Sequence, residues 1–438
     1  MFLARLLVLF SLVCISCAHS SFEQKQLKHA LDFATSNRLE LEILLQHYTY
    51  DSLKLEAAKF LIRNMPHCYS YQQGGEMDSV KRVRTYYSPF GQIDQTYARR
   101  WGHYTYRNLL KIYDAHIITA EYLIDNIDRA FDNWQKRPWN RSLSFEDFCE
   151  YLLPYRIGDE PLEEWRELYE KKYGYLLDSI YKGGDVVEAA NLVSRHLQEP
   201  VFIYCEDFEL PHIGPRYLFS HRYGSCVDAA DIVTYAFRAV GIPCMEDTDA
   251  RGGHVWNVVR DTTGRDVPIW YIASEAVRGS RDTGGYKRGK VYRPMYGFQE
   301  EKAAHLGDDW KSMPLLFYHP YMKDVSYAYY PDTLRILTGI PDDEVCYLAH
   351  FHEAHWWSCA CARSASGKME IPNLESELVY LPMKYTKGNY YSSGFPFWFA
   401  GGEINTFLPD WEKTVKVRLY RKYPVYGWLR SFMGHVVG

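Results

Sequence analysis

From residue 22 to about 62, apolar side chains recur every three or four positions: Leu27, Ala30, Leu31 and Ala34, then Leu39, Leu41, Leu44 and Leu45. That period puts them on one helical stripe. Leu53, Leu55, Ala58, Phe60 and Leu61 resume it after Tyr50-Asp51-Ser52, so two or three packed helices are predicted. Residues 76–110 lose the period and hold Pro89-Phe90-Gly91, which predicts a loop-rich insertion. Helical spacing returns over about 110–173, with Ser144 or Ser142 as a cap and Glu160-Pro161 opening another helix. A further helix is expected at 186–197 and a short strand at 200–204. The helix predicted at 226–240 buries Ala229, Ala230, Val233, Ala236, Phe237 and Val240, while Asp228, Asp231, Thr234 and Arg238 face away. Gly241 ends it and Pro243 prevents its continuation. Residues 246–253 read as an acidic, glycine-rich loop. Residues 255–259 and 267–272 alternate as two strands across the turn Asp261-Thr262-Thr263-Gly264. Beyond about 313 come short alternating strands, clearest at 345–348, 378–381, 397–399 and 415–419.

This order predicts an α+β protein: an N-terminal helical layer over 22–200, a mixed core over 201–300, and an all-β, sandwich-like domain over 313–438. With 438 residues, 47% of them apolar and 24% charged, the chain has the make-up of a folded protein of two or three domains. A net charge of -5 supplies no electrostatic reason for nucleic acid or an anionic membrane surface as partner. Tyrosine is abundant, 38 residues against 21 phenylalanines, which suits half-wet helix and strand faces and, secondarily, glycan or peptide recognition.

Residues 1–17 have the build of a signal peptide, a short basic start and then an apolar run too short to remain as a spanning helix. The run ends Cys14-Ile15-Ser16-Cys17, which resembles the bacterial lipobox, although Cys14 stands where leucine is usual and plain signal-peptidase cleavage nearby is the other reading. The resemblance implies a lipid on Cys17 and an exported protein held at the bacterial cell envelope, on the periplasmic or outer-membrane face. No other stretch approaches about 20 uninterrupted apolar residues, so that anchor is the one expected membrane contact. Beyond the leader, Cys68, Cys149, Cys205, Cys226, Cys244, Cys346, Cys359 and Cys361 read mostly as buried small hydrophobes, with at most one or two bridges. Cys359-Ala360-Cys361 is too tight for a zinc pair, and His350, His352 and His355 with Glu353 read as a polar hairpin, so no metal is expected. The run Arg156-Ile157-Gly158-Asp159-Glu160 reads as a solvent-facing capping pattern.

Tyr223-Gly224-Ser225-Cys226-Val227-Asp228 places a cysteine in the first turn of a helix, where unpaired N–H groups and the helix dipole favour a thiolate and can hold an oxyanion. His254 follows two glycines at the start of the next strand, on the face it shares with Trp256. Gly224-x-Cys226-x-Asp228-x-Ala230, then Arg238-Ala239-x-Gly241-Ile242-Pro243, then Gly253-His254-Val255-Trp256-Asn257, resembles the core motif of the transglutaminase-like cysteine acyl-transfer superfamily. The likeness covers about 75 residues closely. Residues 55–66 and Lys290-Val291-Tyr292-Arg293 resemble the flanks of transglutaminase-like bacterial lipoproteins.

The resemblance implies a papain-like transglutaminase core in which Cys226 attacks an acyl carbon and His254 is its base. It implies a peptidase or amidase acting on a peptide, protein or glycopeptide, with no cofactor. Cross-linking to a lysine amine is the second enzymatic reading, and a catalytically degenerate binder of envelope glycan or peptide is the non-enzymatic one. The superfamily keeps an orienting aspartate about sixteen residues after the histidine, which falls here near Trp270, in a strand without an acid. Asp266 precedes that strand and Glu275 follows it. Strand geometry disfavours Asp266, so Glu275 is the expected orienter, and Asp261 is a turn residue.

Overall fold

A computed structural model describes residues 22–87, 93–101, 103–199, 201–205, 208–250, 253–270, 275–281, 287–300, 319–337, 341–352 and 355–413. The leader with Cys14 and Cys17, Glu353, and the strand expected at 415–419 lie outside these residues.

The N-terminal helices form as the period predicts: α1 (22–33), α2 (Arg38–His47) and α3 (Ser52–Asn64). Asp51 starts α3 by accepting the Lys54 N–H at 3.1 Å. After β1 (Tyr69–Tyr71) the expected loop-rich insertion instead contains α4 (Glu76–Arg84) and α5 (Gln95–Trp101). Met77, Val80 and Val83 supply α4 with a three-residue apolar stripe, too short to stand out among its charges. β2 (Lys111–Tyr113) pairs antiparallel with β1. Next come α6 (Ala120–Lys136), α7 (Phe145–Tyr151), α8 (Arg166–Tyr175) and α9 (Val186–Leu197). Ser144 caps α7, accepting the Asp147 N–H at 3.0 Å. No helix starts at Glu160-Pro161. Glu160 is buried and accepts the N–H groups of Ile157 and Gly158 at 2.8 and 2.7 Å, and Arg156 is buried against Asp114. The run expected to face solvent is therefore an interior ion-pair knot.

The middle of the chain runs β3 (Ile203–Tyr204), α10 (Pro215–Ser220), β4 (Tyr223–Gly224) and α11 (Cys226–Ala239), with β3 and β4 parallel. It continues into β5 (Cys244–Asp249), β6 (Val255–Arg260), β7 (Asp266–Ile269), β8 (Val291–Pro294) and β9 (Met322–Asp324). These last five form one antiparallel sheet in the order β7-β6-β5-β8-β9. Two expectations change here. The acidic stretch read as a loop is β5, buried at all six positions, and the sheet extends past residue 313 to β9.

Ala229, Ile232, Val233, Ala236 and Phe237 of α11 share one core with Tyr169 of α8, Val193 of α9, and Val259, Val267 and Ile269 of the sheet. At roughly 1.5–3 kcal/mol per fully buried large aliphatic or phenyl side chain, this core is a main source of stability for the region. Helices therefore cover α11 on the side away from the sheet. Its residues 228–239 are all buried, including the four polar ones expected to face away.

The C-terminal part holds β10 (Asp332–Leu337), β11 (Val345–His352), β12 (His355–Arg363), β13 (Lys368–Leu374), β14 (Leu378–Thr386), β15 (Asn389–Ser392), β16 (Phe397–Ala400) and β17 (Glu403–Thr406). β10 pairs with β13, the other six form a second antiparallel sheet, and both contribute to one apolar core. His352 faces His355 across the tip of the β11–β12 hairpin. None of the described cysteines is disulfide-bonded, and all are buried except the half-buried Cys361. The whole is a mixed α+β protein.

Candidate active site

The start of α11 is built by close approach. A Cβ on Gly224 would lie 2.3 Å from the Asp228 Cβ, so glycine is the residue that lets Asp228 fold back over the turn. Asp228 Oδ2 accepts the Ser225 N–H at 2.7 Å, and the Ser225 side-chain oxygen in turn accepts the Asp228 N–H. This capping box satisfies two of the otherwise orphaned groups at the helix start. Arg84 of α4 lies 3.0 Å from the same carboxylate oxygen, in a pair with both side chains buried. Cys226, 6% exposed, occupies the first helical position directly after this cap. Asp228 brings negative charge within two residues of the sulfur, and Arg84 offsets it.

The remaining polar residues of α11 each have a partner from another part of the chain. Asp231 holds His212 Nδ1 at 3.0 and 2.9 Å. Burial works against a charged His212 ring, but the adjacent Asp231 carboxylate outweighs it and holds the imidazole well above its usual range. Thr234 donates to Glu246 of β5 at 2.7 Å and accepts from Asn257 of β6 at 2.9 Å, and burial raises the Glu246 carboxyl. Arg238 donates to the carbonyl of Cys244 at 3.2 Å and that of Arg156 at 3.3 Å.

The two faces of β6 have different neighbours. Asn257 and Val259 point to α11, Asn257 also donating to the Ala230 carbonyl at 3.1 Å. Trp256 and Val258 point the other way, into a cluster with Tyr151, Val291 and Tyr329. Trp256 Nε1 donates to the Tyr329 hydroxyl at 2.9 Å, and the Arg288 guanidinium lies 4.9 Å from the Trp256 ring centre. His254, 2% exposed, is on the Trp256 side: its ring centre is 5.6 Å from that of Trp256 and 4.0 Å from that of Trp270.

β6 runs alongside α11 in the same sense, because Cys244, soon after the helix end, is opposite Val259, while Asn257 is beside Ala230 and Thr234. Cys226 and His254 are therefore at the same end of the helix–sheet layer. Cys226 belongs to the helix on one side of the sheet, and the His254 ring lies with Trp256 and Trp270 on the other.

The acids weighed from the sequence have other partners. Asp266 is opposite Arg260, six residues from His254 and about 20 Å along the strand. It accepts from Tyr151 at 3.0 Å and pairs with Arg293 at 2.7 Å. Glu275 forms a 2.6 Å ion pair with Arg195 of α9, both side chains about half exposed. Asp261 holds its turn through the Thr263 and Arg265 N–H groups at 2.8 and 3.0 Å. Trp270, near the position where the sequence resemblance implies an acid, has its ring centre 4.0 Å from that of His254, with the two ring planes tilted by 50°.

One residue passed over in the sequence stands next to the site. The β5–β6 ladder continues through the Asp249 N–H to the His254 carbonyl at 3.2 Å, which puts Asp249 directly across from His254. Asp249 is fully buried, and its Oδ1 accepts the Gly253 N–H at 2.8 Å. The available signal was alternation: Cys244 and Glu246 face the helix, Met245 and Asp247 the other cluster, and Asp249 continues the second set.

No family model, no curated protein and no solved structure matches this chain.

Proposed function

We propose that this is an exported, lipid-anchored acyl-transfer enzyme with a papain-like transglutaminase core, acting on a peptide, protein or glycopeptide amide. The observation that carries the reading is Cys226 at the first position of a capped, enclosed helix, with His254 at the same end of the adjoining sheet and the superfamily's three-part motif between them.

The Cys226 thiol gives its proton to His254, and the thiolate attacks the acyl carbon of the amide. N–H groups at the start of α11 stabilise the oxyanion. The C–N bond breaks, the amine leaves with the proton from His254, and an acyl thioester remains on Cys226. His254 then takes a proton from water, hydroxide adds to the thioester, and the acid and free thiol are released. A lysine amine in place of water would make the same chemistry a cross-linking reaction.

A second reading, a catalytically degenerate glycan or peptide binder, is favoured by one observation: Trp270 fills the place of the superfamily's acid, its ring tilted against His254 with centres 4.0 Å apart. Alkylation separates the two. The mature protein is treated with an iodoacetamide probe from about pH 5 to 9, and labelled cysteines are mapped in it and in Cys226→Ala. Selective labelling of Cys226 near about pH 6 is expected for the enzyme, and labelling that follows an ordinary thiol near about pH 8.5 would overturn that reading.

A further inference from the structure

We infer that Asp249, on the strand before His254, is the positioning carboxylate for the His254 imidazole, a role the superfamily assigns to an acid on the strand after it. The inference rests on the acyl-transfer reading for its catalytic meaning, but its geometry is independent of that reading.

Asp249 and His254 form the last cross-strand pair before the β5–β6 connection, as the 3.2 Å bond from the Asp249 N–H to the His254 carbonyl shows. Residues directly opposite in an antiparallel pair project to the same face, with Cβ atoms about 4.5–5.5 Å apart. A carboxylate on one such position reaches an imidazole nitrogen on the other without backbone movement. The face is the same by both strands: Asp249 follows Asp247, which pairs with Arg293, and His254 precedes Trp256, whose Nε1 bonds Tyr329, itself donating to Asp247 at 2.7 Å.

Burial strengthens the case. Asp249 is fully buried, and a desolvated carboxylate is tolerated only where hydrogen bonds or charge compensate it. The Gly253 N–H supplies one such bond, at Oδ1, and ties the carboxylate to the residue preceding His254. On the opposite flank Trp270 of the β7 side closes the ring in at 4.0 Å and carries no charge. Of the other charged groups on this face, Asp247 is taken by Arg293, and Arg288 lies over the Trp256 ring. An acid on β5 thus stands on one flank of the ring, while the β7 flank is aromatic.

The test is a histidine NMR titration of the full mature chain, with ring nitrogens labelled, on the wild type, Asp249→Asn, Asp249→Ala and Glu275→Gln. A neighbouring carboxylate raises an imidazole pKa by about 1–2 units, so both Asp249 variants are expected to lower the His254 pKa by that amount and to change its tautomer ratio, with Glu275→Gln unchanged. A His254 titration unmoved in the Asp249 variants, or moved only by Glu275→Gln, overturns the inference. If the variants fail to fold, the wild type decides: a His254 ring N–H with the downfield proton shift of a hydrogen bond to a carboxylate, and a through-bond contact to Asp249, support it, and a folded protein whose His254 ring shows neither overturns it. Alkylation in the same samples separates the two proposals. A drop of about tenfold or more in Cys226 labelling with Asp249→Asn is expected if both hold. Ordinary thiol labelling throughout, together with a shifted His254 titration, would remove the acyl-transfer reading and leave the positioning role intact.

Discussion

His67 shows how one side chain sets a pH response. Its ring stacks on Tyr321 with centres 3.5 Å apart, between the N-terminal helices and the segment leading into β9, and burial lowers its pKa to about 3. The unfolded chain binds this proton near pH 6.5 and the folded chain does not until about pH 3. A depressed folded value makes its contribution to stability fully present above pH 6.5 and lost as pH falls toward 3. Urea unfolding should therefore show His67→Phe, which keeps the stack, losing less stability than the wild type between pH 6.5 and 4.5, by about 2 kcal/mol. Equal pH dependence in the two proteins would remove His67 from this role. Residue identity carried other information directly: Gly224 marks a close approach, and Gly241 takes φ +79° after the helix. The same was not true of Asp249. Its acidity argued for a loop, and only pairing with His254 reveals a strand position.

Among the elements, α11 departs most from its pattern. A 3.6-residue apolar stripe separates one face from another, but it does not say what covers the polar face. Here the covering groups are Arg84, His212, Glu246 and main-chain carbonyls, drawn from distant parts of the chain. The Asp231–His212 pair offers a test. Removing the partner of a fully buried carboxylate leaves it uncompensated, so His212→Leu should cost about 3–5 kcal/mol in chemical denaturation, and Asp231→Leu, which leaves a half-buried imidazole, somewhat less. The double variant should cost clearly less than the sum. Additive losses would mean that the pair is not coupled. Helices with long stripes, α3, α6 and α9, were legible because period and cap agree, as with Asp185 accepting the Val187 N–H at 2.8 Å. α4, with three apolar positions, and β5, with three acids in six residues, were not.

At the scale of the whole molecule the N-terminal helices are fastened to the mixed core after β8. Tyr296 donates to the Leu61 carbonyl at 3.0 Å, Phe298 N–H to Asn64 at 2.9 Å, and Tyr296 N–H to Glu150 at 3.0 Å. Tyr296 also belongs to the apolar cluster of α2, α3 and α6. A chain lacking residues 22–64 should therefore lose cooperative thermal unfolding, followed by near-UV circular dichroism, whereas helices that merely lie on the surface would leave the transition in place. The amino-acid order by itself determined the mixed α+β class, the long helices, the position of Cys226 at a helix start, and the β-rich C-terminal part, because period, caps and turn residues act within a few positions. Only the tertiary structure decided which face of β6 carries His254, which acid stands opposite it, and which partners enclose α11. Those depend on strand register and on contacts between residues far apart in sequence, as between Arg84 and Asp228, and local patterning does not encode them.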